Sequence, residues 1–141
     1  MKETLGFLIF DVARLMRRAY QQKQNNSCLT LAQARALLYV AKGEGVRQVD
    51  LAEALEVKPI TLARLLDELE KNGLVERRRD PQDRRAHQVY LTSAAQPHLA
   101  SIKKVIEVIR NEALSDLTEE QIENLLFSLE KMRASLLSDE L

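Results

Sequence analysis

Apolar residues recur at intervals of three and four over several stretches of the chain. Near the N-terminus they are Leu5, Leu8, Val12, Leu15 and Ala19, a spacing that predicts a helix of about five turns. Phe7, Met16 and Tyr20 widen this stripe, Arg14, Arg17 and Arg18 sit among it, and the polar run Gln21–Ser27 ends the helix. In the C-terminal third, Leu99, Ile102, Ile106, Ile109 and Ala113 form a second stripe. Ile122, Leu125, Leu129, Met132 and Leu136 form a third, broadened by Leu126 and Leu137. A shorter amphipathic helix lies in the middle, from Lys58 to Asn72. Its Leu62, Leu65, Leu66 and Leu69 share one face, while Ile60, Arg64, Asp67 and Lys71 share the other. Pro59 suits the first helical position, where no N–H is needed, and Gly73 supplies the stop.

Polar punctuation places the remaining elements. Thr30-Leu31-Ala32-Gln33 has the form of a capping box and opens a helix running through Ala41, broken by Gly43 and Gly45. Gln48–Leu55 is a short helix, and Val57-Lys58-Pro59 is the turn from it into the middle one. Leu74–Arg79 and Ala86–Thr92 read as two short strands joined through Asp80-Pro81-Gln82-Asp83 and Arg84-Arg85. Ser93-Ala94-Ala95-Gln96 resembles another capping box, and Thr118-Glu119-Glu120-Gln121 opens the last helix with acids in its first turn, where the helix dipole favours them. Two helices joined by a tight turn, the second ending at a hairpin, is the winged helix-turn-helix order. The expected fold is mainly α with a small β-hairpin wing. Residues 30–92 form the winged helix-turn-helix, flanked by helical dimerisation regions at 1–29 and 93–141. A winged helix of that size does not cover three long apolar stripes, and burying them against each other and a second copy is the simplest solution. Leu5, Leu8, Val12, Leu15, Ile122, Leu125, Leu129, Met132 and Leu136 are the expected interface residues.

Charge changes the picture only through its distribution. The formal net charge over 141 residues is zero, yet residues 71–87 carry a net +3 and residues 99–141 a net −4. Six basic residues (Lys71, Arg77, Arg78, Arg79, Arg84, Arg85) crowd the hairpin against three acids (Glu76, Asp80, Asp83). That is an electrostatic footprint for phosphate, although a charged edge hairpin also serves solubility. On the helix before it, an exposed Ile60 beside Thr61 and Arg64 suits a surface that meets base edges, where alkyl groups touch thymine methyls and Arg forks onto guanine.

These residues resemble the MarR family of bacterial winged helix-turn-helix regulators. Asp83-x-Arg85 followed by Val89-x-Leu91-Thr92 is similar to the family's wing signature. Asn72-Gly73-Leu74-Val75-Glu76-Arg77 is similar to its helix-to-wing junction, and Gln48-Val49-Asp50-Leu51-Ala52 to the first helix of its helix-turn-helix. The SlyA-like regulators are the subgroup it most resembles. The resemblance implies a triangular homodimer joined by the first and last two helices, and double-stranded operator DNA as partner. It also implies a wing in which Arg85 enters the minor groove while Asp83 holds it. The expected DNA contacts are Pro59, Ile60, Thr61, Arg64, Lys71, Arg77, Asp83, Arg84 and Arg85. Members of the family often answer to small aromatic acids, phenolic compounds or oxidants in a pocket between the first, second and fifth helices. Arg14, Arg17 and Tyr39 are the residues here that would line it. The SlyA-like subgroup often places Trp and His on the second helix, where this chain has Ala34 and Leu38, and that departure weighs against a salicylate-type effector.

Enzyme chemistry finds little to work with. His87 and His98 are the only histidines, no Cys/His cluster has zinc-ligand spacing, and the four glycines form no phosphate loop. No cofactor or metal is expected. His87 alternates with Val89 and Leu91 and reads as a hairpin residue near a DNA backbone. Cys28 is the lone cysteine, which excludes an intramolecular disulfide and fits a reducing cytosol; the expected location is cytoplasmic, and nucleoid-associated through the DNA partner that the resemblance implies. With Lys23 as its nearest cation it reads as an incidental thiol. No apolar run approaches the ~20 residues of a membrane span. The competing reading is a winged-helix module used only for protein–protein assembly. A basic wing is the feature such a module does not need.

Overall fold

The computed structural model describes residues 2–24 and 29–138; Cys28 lies outside them. Nine elements follow in order: α1 (Leu5–Lys23), α2 (Leu31–Lys42), β1 (Val46–Arg47), α3 (Gln48–Leu55), α4 (Pro59–Lys71), β2 (Val75–Asp80), β3 (Asp83–Leu91), α5 (Ala95–Ala113) and α6 (Glu119–Ser138). The fold is six helices and one small antiparallel sheet, a winged helix-turn-helix with long flanking helices. By packing, Met1–Ile106 is one compact unit and Glu107–Leu141 a second, so the division falls inside α5.

Local chemistry sets most helix ends. Thr30 and Gln33 form the reciprocal capping box: the Thr30 hydroxyl accepts the Gln33 N–H and the Gln33 side chain accepts the Thr30 N–H. Thr118 and Gln121 repeat it at α6. Thr4 caps α1 by accepting the Phe7 N–H. At α5 the expected Ser93 cap is absent. The Thr92 and Ser93 backbone carbonyls take the first N–H groups instead, because the chain enters this helix through a turn off the sheet. Pro59 stands at the start of α4, and Gly73 ends that helix at φ +74°, a left-handed conformation natural to glycine. Glu56 adopts φ +54° at the end of α3, and its N–H bonds back to the Glu53 carbonyl, closing the tight turn between α3 and α4.

The core of the first unit gathers the expected apolar faces. Leu37 and Val40 of α2, Leu51 of α3, Leu62, Leu66 and Leu69 of α4, Val75 of β2 and Val89 of β3 are all but completely buried, worth roughly 1.5–3 kcal/mol per large side chain. α2 and α3 pack on β3, α4 packs on β2, and α2, α3 and α4 pack on one another. The turn face of the helix-turn-helix is thereby fixed, and the opposite face of α4 is left in solvent.

The sheet departs from a simple hairpin. Its strand order is β1-β3-β2. β1 adds Val46 opposite Val89 and Arg47 opposite Gln88; so short a strand leaves no periodicity to detect. The β2–β3 pairing runs in step from Val75↔Leu91 to Arg79↔His87, then slips to Asp80↔Asp83. The slip leaves Arg84, Arg85 and Ala86 without partners on β2. Such bulges re-aim side chains away from a regular strand. Gly45 (φ +88°) leads into β1 with the Tyr90 hydroxyl 3.1 Å from where a Cβ would stand, so a side chain there meets both backbone strain and a close neighbour.

Candidate nucleic-acid interface

The outward face of α4 carries Pro59, Ile60, Thr61, Arg64 and Lys71, all exposed. Ile60 is 61% exposed, although an apolar residue in a core-forming helix gains nothing from water. It stays out because its three- and four-residue neighbours Ala63 and Arg64 lie off the buried Leu62–Leu66–Leu69 stripe. Among the described residues, the Arg64 and Lys71 side chains have no ion-pair partner.

The wing sorts arginines that are equivalent in composition. Arg77 is bound to α4: its guanidinium reaches both Asp67 (2.5 Å) and Glu70 (2.9 Å), and its N–H donates to the second Glu70 oxygen at 3.1 Å. Its side chain is only 20% exposed. It is a brace between α4 and the wing, and its charge is already balanced. Arg78 lies over the Tyr90 ring, 4.1 Å from its centroid, and pairs with Glu76. Arg79, Arg84 and Arg85 remain, each exposed and with no side-chain partner among the described residues. Arg84 and Arg85 sit in the bulge.

Asp83 meets Arg85 through the backbone: Asp83 Oδ1 accepts the Arg85 N–H at 3.0 Å. The Arg85 guanidinium stays free. Asp80 does the same for Gln82, accepting its N–H at 2.9 Å. The other oxygen of each carboxylate faces Arg47, 3.4 Å away in both cases. Arg47 is the residue of this site that sequence reasoning missed. It ends a two-residue strand whose place beside the wing exists only in the folded chain. His87 is exposed on β3 and, with Arg85, Ala86 and Pro59, lines an open cleft of about 350 Å³ beside the wing.

The other expected residues are placed as follows. Arg14 makes an exposed pair with Asp11 at 3.4 Å, and Arg17 and Tyr39 are exposed. Ala34 is buried and Leu38 half-buried in α2. In α1, Leu5, Leu8, Val12 and Leu15 are 49–61% exposed. In α6, Leu125, Leu129 and Leu136 are exposed, Ile122 and Met132 half-buried, and none is fully buried.

The fold, with its solvent-facing helix α4 and basic wing, defines a winged helix-turn-helix protein. Residues 29–87 match the model of the MarR family. Among solved structures, it is similar to a MarR transcriptional regulator from Methanosarcina mazei Go1 (26% identity, TM-score 0.87, 97% of this chain and 99% of that one). It is similar to MepR of S. aureus in a structure with DNA (27% identity, TM-score 0.77, 95% and 99%). It is also similar to a mutant MarR from E. coli complexed with operator DNA (27% identity, TM-score 0.76, 91% and 92%). Among the described residues no helix is long and apolar enough to cross a membrane.

Proposed function

We propose that this protein is a sequence-specific DNA-binding transcriptional regulator of the MarR type, acting as a homodimer on a pseudo-palindromic operator. The carrying observation is one continuous choice of residues: Arg64 on the outward face of α4 and Arg84 and Arg85 in the wing bulge are exposed cations that the fold itself does not use. Internal carboxylates neutralise Arg77 and Arg78, but not these. A module used only for protein assembly gives no reason to leave them free. Ile60 and Thr61 beside Arg64 suit thymine methyls, Arg64 suits guanine, and Lys71 and Arg84 suit phosphate.

The homodimer is supported by the apolar residues that α1 and α6 each leave in water. A single chain with this many exposed Leu, Phe and Ile side chains gains by covering them with a second copy. A small anionic aromatic or phenolic effector fits the remaining cations: Arg17 is exposed, Arg14 is held only by an exposed pair, and Tyr39 offers a ring. The test is a gel shift on genomic fragments at two salt concentrations, followed by footprinting. A protected region with two-fold symmetry and half-sites ~34–36 Å apart is expected. Absence of any fragment bound above the non-specific level overturns the reading.

A further inference from the structure

We infer that Arg47 is the positioning residue of the wing: it fastens the wing tip to the start of the helix-turn-helix and so decides where Arg84 and Arg85 stand. The inference deepens the DNA-binding reading and rests on it for its consequence at the operator, though not for the brace itself.

The backbone alone does not hold the tip. β1 supports β3 only at Val89 and Gln88. Beyond Arg79↔His87 the two wing strands lose step, so Arg84, Arg85 and Ala86 have no cross-strand partner. An isolated two-stranded ribbon is marginal in water, and a bulged end is weaker still. Apolar packing does not replace the missing pairing. The cleft of about 350 Å³ on the Pro59 and His87 side and another of about 590 Å³ on the Pro81 and Gln88 side both include Arg47 and Asp83 in their walls.

Arg47 spans this gap. Its Nη2 donates a long hydrogen bond to Asp83 Oδ2, and its buried Nε faces Asp80 Oδ2, each at 3.4 Å. The Nε approach is ionic, without the alignment of a hydrogen bond. Each carboxylate therefore divides its oxygens. Asp80 Oδ1 fixes the Gln82 amide and Asp83 Oδ1 fixes the Arg85 amide, while both Oδ2 atoms turn to the one guanidinium. A guanidinium can face two carboxylates at once from a fixed plane, which a point-charge ammonium does less well. The residue after Arg47 is Gln48, the first of α3, so the tie runs from the helix-turn-helix through Asp83 to the Arg85 backbone. Its single positive charge also offsets half of the charge of two carboxylates that would otherwise face phosphate beside Arg84 and Arg85.

The test has one arm without DNA and one with it. In the free protein, Arg47→Ala and Arg47→Gln should drop the amide order parameters at Gln82, Arg84 and Arg85 toward the flexible range below ~0.6, while those of α4 keep rigid values near ~0.85. Arg47→Lys should fall between. On an operator, Arg47→Ala should weaken binding by about tenfold, a part of what a mislaid groove-reading arginine loses. That loss should vanish in an Arg85→Ala background, since a positioning residue has nothing left to position. Unchanged order at the tip overturns the brace. Losses that add in the double variant, with a salt slope reduced by ~1 by Arg47→Ala alone, make Arg47 a phosphate contact and also overturn it. If the wild-type protein binds no operator, the functional reading fails while the relaxation arm still decides the brace.

Discussion

Glu70 grips Arg77 twice: one carboxylate oxygen accepts the Arg77 backbone N–H at 3.1 Å and the other accepts its guanidinium at 2.9 Å. A residue at the end of α4 thus holds the first strand of the wing through both its main chain and its side chain. The hydrogen bond from the Arg77 side chain, then that from its backbone, keeps the Glu70 carboxyl below its ordinary value. A carboxylate depressed in this way stabilises the fold above its unfolded pKa, and the contribution is lost as pH falls through the folded value. Glu70→Gln should therefore lower stability at pH 7, by under about 1 kcal/mol because the pair is open to solvent. The deficit should shrink as pH drops below ~4.3, the ordinary value for Glu. Urea denaturation at pH 7 and pH 3 measures it. An equal deficit at both would mean that the charge of Glu70 is irrelevant.

Arg85, free in the bulge, is expected in the minor groove. A narrow A·T-rich groove concentrates negative potential, and guanidinium sheds water more readily than ammonium. Arg85→Ala should lose most affinity on operators with A·T-rich flanks, and Arg85→Lys should restore only part. Arg84→Ala should weaken all sequences about equally and reduce the salt slope by ~1. Titrating each variant on two operators that differ only in their flanks decides it. Equal losses for Arg85→Ala on both make Arg85 a plain phosphate contact.

Arg64 is the expected base reader. Arg64→Ala should cost ~1–3 kcal/mol on the cognate site and relax discrimination at one position of each half-site. Competition binding against operators substituted base by base checks this. A uniform loss across all sequences would move Arg64 to the backbone.

For the proposed dimer, Leu125 and Leu129 of α6 are exposed at 39% and 41% in the single chain. Replacing both with Glu should place charge in the seam, where burial without a partner costs several kcal/mol. Sedimentation should show monomer, and operator affinity should collapse with it. A variant that remains dimeric removes α6 from the interface.

Much of the fold was legible because its causes are local. The α4 stripe, Pro59 and Gly73 delimit that helix within a residue at each end, and the Thr30–Gln33 and Thr118–Gln121 boxes mark two helix starts by pairing neighbours in sequence. The wing was legible as a charged hairpin, with the unpaired side of its turn misplaced: β3 begins at Asp83, three residues before the alternation starts, because the bulged segment carries no periodicity. Ser93 looked like a cap and is not one, since backbone carbonyls of the preceding turn reach the same N–H groups first.

Periodicity and capping by themselves determined which residues form helices, which face of α4 is buried, and that a basic hairpin follows it, since each depends on neighbours three or four positions away. Tertiary structure alone decided which arginines are free. Arg77, Arg78, Arg79, Arg84 and Arg85 are alike in sequence. They differ because α4 brings Asp67 and Glu70 to Arg77, Tyr90 crosses under Arg78, and a register slip pushes Arg84 and Arg85 outward. Arg47 follows the same rule across a longer span: its distance to Asp83 is 36 positions along the chain and 3.4 Å in space. Charges act through distance in space, and only folding sets that.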